Sequence, residues 1–96
     1  MYFLIYTEDS KSNGHKRAEF IDEHRAWLKG HHDKLTLHIA GPWTDDLGVS
    51  KGSILLIETE SEAHARSWMA QDPFVRENLP AKQMLKPFNW VVGAPK

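Results

Sequence analysis

His24 and Asp72 are the residues of this chain best suited to moving a proton. Histidine exchanges a proton near neutral pH, which suits general acid or base work. A carboxylate beside it would fix the ring tautomer and stabilise the imidazolium. His24 falls near the centre of an apolar helical stripe, where Asp22 and Glu23 precede it but face elsewhere, since helix neighbours in sequence diverge. The alternative for His24 is a satisfied core histidine that only packs. Asp72 follows the second expected helix and extrapolates to the side carrying Ala65, Trp68 and Met69. A carboxylate at a helix C-terminus meets the negative end of the dipole and needs a partner; the alternative is an ordinary Asp72-Pro73 turn with a solvated side chain. Arg17 lies two turns before His24 on the same stripe, placed either to grip a substrate carboxylate with two prongs or to reach past the helix end.

Other chemistry is sparse. His31 and His32 are adjacent and diverge. His15, His24, His38 and His64 show no chelating spacing, so no metal site is expected. There is no G-x-G-x-x-G, no phosphate-binding G-x-x-x-x-G-K-[ST] and no G-x-S-x-G elbow, so no built-in cofactor is expected. Ser53 follows Gly52 at a strand start, where it can line a pocket, but nothing marks it as a nucleophile. With no cysteine in the chain, disulfides, thiolate catalysis and zinc–cysteine or iron–sulfur sites are excluded.

These residues need elements to hold them. Tyr2 to Thr7 reads as a strand rich in aromatic and β-branched residues. After a polar loop, Ser12 or Asn13 can cap a helix from His15 to about Gly30. On it Arg17, Phe20, Ile21, His24, Trp27, Leu28 and His31 share one side at roughly 100° per residue. Leu35 to Ala40 alternates as a strand, with Leu35, Leu37 and Ile39 on one face, and Gly41-Pro42 ends it. Trp43 to Gly52 is a loop, and Ser53 to Glu58 a nearly all-apolar strand that forms a hairpin with the one before. Ser61 caps a second helix running to about Gln71, closed by Asp72-Pro73. A short turn follows at Phe74 to Asn78. Gln83 to Val92 is the last strand, with Pro87 calling for an edge position or a bulge. The order is that of an α+β, ferredoxin-like βαββαβ domain: a four-stranded antiparallel sheet with two helices on one face.

Ninety-six residues suit a single domain, 1–96. The first strand and Ile54 to Ile57 are apolar on both faces, yet two helices cover only one. A second copy packed on the helix-free face is the economical cover, so a homodimer is expected. Twelve basic and 13 acidic residues leave a net charge of -1, and the bases are scattered, so neither nucleic acid nor an anionic membrane is an expected partner. Met1 to Tyr6 is apolar but short and lacks the basic start of a signal peptide. No apolar run reaches the roughly 20 residues that span a bilayer, and the cytoplasm is the default location.

Taken together, the pieces resemble the YCII-related family of the dimeric α+β barrel group, over roughly Met1 to Trp90. The matching pieces are the opening Met1–Tyr6 strand, Lys16-Arg17 through Glu23-His24 to Leu28, Ala40-Gly41-Pro42, Gly52-Ser53, Gln71-Asp72-Pro73-Phe74 and Lys86-Pro87-Phe88. The resemblance implies two sheets back to back in a dimer and a pocket between sheet and helices. It also implies a histidine–aspartate pair as the catalytic element, at the positions of His24 and Asp72. Gly41, Pro42 and Ser53 would lie near the pocket. Trp43 and the compact stretch to Gly52 are less typical of the family. The activities it brings, dehydrochlorination of a chlorinated hydroxyhydroquinone in a relative and isomerisation of a muconolactone in the wider superfamily, move protons on ring-derived, often acidic compounds. The resulting expectation is a cofactor-independent lyase or isomerase acting on a small molecule. In it His24 carries the proton, Asp72 orients the ring, and Arg17 steadies an anionic group. The competing readings are a non-catalytic small-ligand-binding or regulatory domain and a structural assembly domain. His24 within hydrogen-bond reach of Asp72, beside an open cavity, is the observation that favours the enzyme.

Overall fold

A computed structural model describes all 96 residues, Met1–Lys96. The elements are β1 (Tyr2–Asp9), α1 (Lys16–Lys29), β2 (Leu35–Thr44), β3 (Ser50–Thr59), α2 (Glu62–Met69), α3 (Pro73–Arg76) and β4 (Pro80–Phe88). The four strands form one antiparallel sheet in the order β2-β3-β1-β4. β1 and β2 therefore run parallel with β3 slotted between them, the split βαβ arrangement expected of a ferredoxin-like unit.

Alternation along β1 sends Phe3, Ile5 and Thr7 to the covered face, where all three are buried. Phe3, Ile5, Leu55, Ile57 and Leu85 from the sheet meet Ala65 and Trp68 of α2 in the main core, with Trp27 and Leu28 of α1 packed against it. α1 lies more loosely on the sheet. Its stripe has the expected side, but only His24 is buried, and His31 is exposed. The space left between α1 and the β2–β3 hairpin becomes the cavity described below.

Several boundaries differ from the sequence expectation, each for a local reason. Gly41-Pro42 does not end β2, which continues to Thr44. β2 is an outer strand, where the missing proline donor costs no ladder bond. Pro87, opposite Phe3 on the other outer strand, sits as expected. The stretch expected as a loop is thus mostly hairpin. Only its tip turns, where the Asp45 carboxylate accepts from the backbone N–H groups of Leu47 and Val49 and Gly48 takes φ +82°.

The alternation expected in β2 is interrupted at His38. Leu37 pairs with Ile57, yet Ile39 pairs with Leu56, so His38 is the extra residue of a bulge. Ile39 consequently faces the helix-free side, half exposed, while Ala40 and Pro42 face the α1 side opposite Leu55 and Ser53.

Ser61 caps α2 as expected, its hydroxyl accepting from the His64 N–H at 3.1 Å. α1 has no such side-chain cap; Asn13 instead donates to the Asn78 carbonyl, tying the loop before α1 to the turn after α3. β4 ends at Phe88 rather than Val92. The chain then turns so that Trp90 packs edge-on against Tyr2 and His38, at 5.3 Å from each. No helix is long and apolar enough to cross a membrane.

Candidate active site

β1 and β3 carry Thr7 and Ser53 directly opposite each other, and β2 extends the row with Pro42. The Ser53 N–H donates to Thr7 Oγ1 at 3.1 Å, which fixes the backbone at the strand entry. One residue earlier, a Cβ on Gly52 would lie 1.9 Å from the Thr7 carbonyl oxygen and 2.1 Å from Trp43 Nε1. The glycine is required because the Trp43 indole crosses there to donate to the Thr7 carbonyl at 2.8 Å.

Above this row α1 supplies His24, and the turn before α3 supplies Asp72. His24 Nδ1 donates to Asp72 Oδ1 at 2.7 Å, with both residues buried. The same oxygen accepts the Phe74 N–H at 2.9 Å. Asp72 is therefore the N-cap of α3, with Pro73 at its first position. α2 stops at Met69, so the expected clash with the negative end of a helix dipole does not arise. The carboxylate sits instead at a helix start, where its charge is favoured. An ionised carboxylate only accepts, so the Nδ1 of a neutral His24 must carry the proton, and the lone pair is on Nε2. The imidazole lies flat on Phe74, centroids 4.0 Å apart and planes 11° apart, which sets its tilt.

His24 Nε2 has no protein partner. Every fully buried side-chain nitrogen and oxygen does have one, so Nε2 is not sealed away. His24 lines a cavity of about 470 Å³ between α1 and the β2–β3 hairpin. Arg17, Ile21 and Leu28 line the helix side, and Gly41, Pro42 and Ser53 line the sheet side. Gly41 lines it with backbone, since a Cβ there would point to the helix-free side with Ile54 and meet nothing within 4 Å. Asp72 stands behind His24 and does not line the cavity.

Arg17 also reaches the cavity, with its fork already engaged. Nε and Nη2 donate to the Asp9 carboxylate at 2.7 and 2.9 Å, and Nη2 donates to Ser53 Oγ at 3.1 Å. Its guanidinium carbon lies 4.8 Å from the centre of the Phe74 ring. Any contact to a ligand is left to Nη1. The other histidines stay apart: His38 bonds Glu58 Oε1, His64 bonds the Asp33 carbonyl, and His32 accepts from the Trp68 indole.

The sequence reading brought His24, Asp72, Arg17, Gly41, Pro42 and Ser53 to one region but missed Asp9 and Phe74. Asp9 was within reach: Phe3, Ile5, Thr7 and Asp9 share one face by alternation, which aims it at the helix carrying Arg17. Phe74 had no such signal, because its contact with His24 depends on how α3 leaves the Asp72 cap.

Residues 1–89 match the family described as the YCII-related domain. An uncharacterized protein of Haemophilus influenzae is 33% identical over 97 residues, covering 95% of this chain and 99% of that protein. Protein YciI of Escherichia coli is 32% identical with the same coverage. Among solved structures, the 5-chloro-2-hydroxyhydroquinone dehydrochlorinase TftG of Burkholderia phenoliruptrix, in complex with 2,5-dihydroxybenzoquinone, superposes with a TM-score of 0.77. It shares 29% identity, over 93% of this chain and 94% of that one. The likeness supports the ferredoxin-like, dimeric α+β barrel class of fold.

Proposed function

The chain belongs to the YCII-related family, and from that premise we propose that it is a cofactor-independent lyase or isomerase in which His24 and Asp72 transfer a proton on a small ring-derived, acidic substrate. The observation that carries the reading is the 2.7 Å contact between two buried side chains, with the second ring nitrogen unpaired in a residue that lines a cavity. Asp72 holds Nδ1–H, so Nε2 is the base. It takes a proton from the substrate and becomes an imidazolium facing a carboxylate fixed by the Phe74 N–H. In a lyase the electron pair left behind expels a leaving anion. In an isomerase the proton returns from Nε2 to another atom of the same molecule. A placed acid–base group supplies roughly 10²–10⁴-fold, about 3–5 kcal/mol. That suffices for a substrate already activated by its own hydroxyl or carbonyl groups.

The substrate class is supported by the solved neighbour, whose name specifies dehydrochlorination of a chlorinated hydroxyhydroquinone; the cavity has ample room for a single ring. The test is a screen of halogenated hydroxyhydroquinones and small lactones with the parent protein, His24→Gln and Asp72→Asn, following halide release or the ultraviolet spectrum. An enzyme loses turnover by orders of magnitude in both variants while their circular dichroism is unchanged. Variants that alter affinity alone, with no turnover by the parent on any compound, would point to a ligand-binding domain and end the catalytic reading.

A further inference from the structure

The hydrogen bonds around Ser53 assign it a task that its residue type alone did not. Its N–H is spent on Thr7 Oγ1, and its Oγ accepts from Arg17 Nη2. Its own hydroxyl proton goes to no protein acceptor. Arg17 Nη1 likewise has no protein partner. Both residues line the cavity that His24 lines, and none of its 14 lining residues is an aspartate or glutamate. Of the two nearby carboxylates, Asp72 stands behind His24, and Asp9 is only 8% exposed and lies outside the wall, clasped by the guanidinium. The wall therefore offers donors and cationic side chains with no built-in acid to compete for them.

We infer that Ser53 Oγ–H is a fixed donor to an oxyanion of the ligand, a phenolate or enolate oxygen, and that Arg17, held by Asp9, is the residue that positions it. A guanidinium donating to Oγ polarises the hydroxyl and holds its oxygen lone pair away from the ligand, so the proton is presented to the cavity. Such a donor is worth most where charge gathers on oxygen as a neighbouring proton leaves. The inference rests on the proposed acid–base reading for its meaning in catalysis, but it is a statement about binding and can be tested without turnover.

The probe is 4-nitrophenol, whose phenolate absorbs visible light and whose phenol does not, with 4-nitroanisole as a match that has no ionisable oxygen. The parent protein is expected to prefer the phenolate to the anisole and to shift the ionisation of bound nitrophenol toward lower pH. Ser53→Ala should weaken phenolate binding roughly 10- to 100-fold, the worth of one hydrogen bond to a charged group, and leave anisole binding unchanged. Ser53→Thr keeps the hydroxyl and should keep the preference. Replacing the ion pair together (Arg17→Met with Asp9→Leu), which orphans no buried charge, should reduce the ionisation shift in the Ser53 background and add little in the Ser53→Ala background. Equal binding of phenolate and anisole, no nitrophenol binding by the parent, or a Ser53→Ala protein with full phenolate preference would each overturn the inference. His24→Gln separates it from the proposed reaction: that variant should keep the Ser53-dependent preference. Turnover that survives His24→Gln would sink the acid–base reading alone.

Discussion

At the scale of single residues, Asp72 has two functions that one substitution can separate. As the cap of α3 it accepts the Phe74 N–H, and as the partner of His24 it fixes the imidazole tautomer. Asp72→Asn keeps an oxygen that can cap, but can turn its amide toward Nδ1 and force the proton onto Nε2, the wrong tautomer for a base. On the proposed acid–base reading, the expected outcome is a loss of about 10²–10⁴-fold in turnover with only a small change in unfolding free energy. Asp72→Ala should lose both, adding about 1 kcal/mol of cap energy; urea melts beside steady-state rates distinguish them. Tyr6 offers a test by pH. Its hydroxyl donates to Glu8 Oε1 at 2.7 Å, and that bond, then partial burial, then the Glu8 charge push its ionisation above the ordinary value of 10.0. The native state thus holds the proton more tightly than the unfolded chain. The stabilisation is complete below pH 10 and fades as pH rises through the raised value. A phenolate absorbance titration of the Tyr2→Phe protein should show Tyr6 ionising late, and Glu8→Ala should bring it back down.

At the scale of elements, the hairpin β2–β3 carries two glycines with opposite tolerances. A Cβ at Gly41 meets nothing within 4 Å and, beside Ile54 in register, points to the helix-free face. Gly41→Val should change unfolding free energy by under about 0.5 kcal/mol and, because its side chain points away from the cavity, leave ligand binding unchanged in a nitrophenol titration. Gly52→Ala drives a methyl into the Thr7 carbonyl and the Trp43 indole, where backbone cannot yield. A cost of about 1–3 kcal/mol in a denaturant melt is expected. The same hairpin marks where sequence reasoning ran out. Element order, the strand containing Phe3 and Ile5 and the stripe around His24 were legible because their apolar residues recur at one period. β2 was not, because the extra residue at His38 resets that period, and nothing local in Thr36–Ala40 announces a bulge. Pro42 looked like a strand end because an outer position, which tolerates it, is a property of the whole sheet. The placement of His24 with Asp72 came from the resemblance, since 48 residues separate them and only the packing of α1 against α3 closes that gap.

At the scale of the whole molecule, the helix-free face decides how the protein presents itself in solution. The sequence expectation was a second copy on this face, because the strands are apolar on both sides. The chain covers part of it unaided: the Trp43 ring stacks on Tyr6 at 5.8 Å, Trp90 packs on Tyr2, and Leu56 is only 4% exposed. The remainder stays open. Ile39, turned outward by the bulge, is 51% exposed, and Ile54 and Phe88 are each 38% exposed. In a chain this short, such open apolar side chains on one sheet face favour sheet-to-sheet packing with another copy, and we propose a homodimer through it. The His38–Glu58 hydrogen bond lies at the same face. It would be drawn into the interface, where a hydrogen-bonded pair is tolerated but an orphaned partner is not. Light scattering at micromolar concentration should therefore give twice the chain mass of 11.0 kDa. Ile39→Lys with Ile54→Lys should return it to one chain mass, since two charges would be buried against their own copies, while the α1-side core and the His24–Asp72 contact are untouched. Glu58→Ala should weaken association more than it weakens the fold, because it strands His38 only in the dimer. A parent protein that scatters as a single chain across that concentration range would show that the tryptophans suffice as cover and that the outward isoleucines face water.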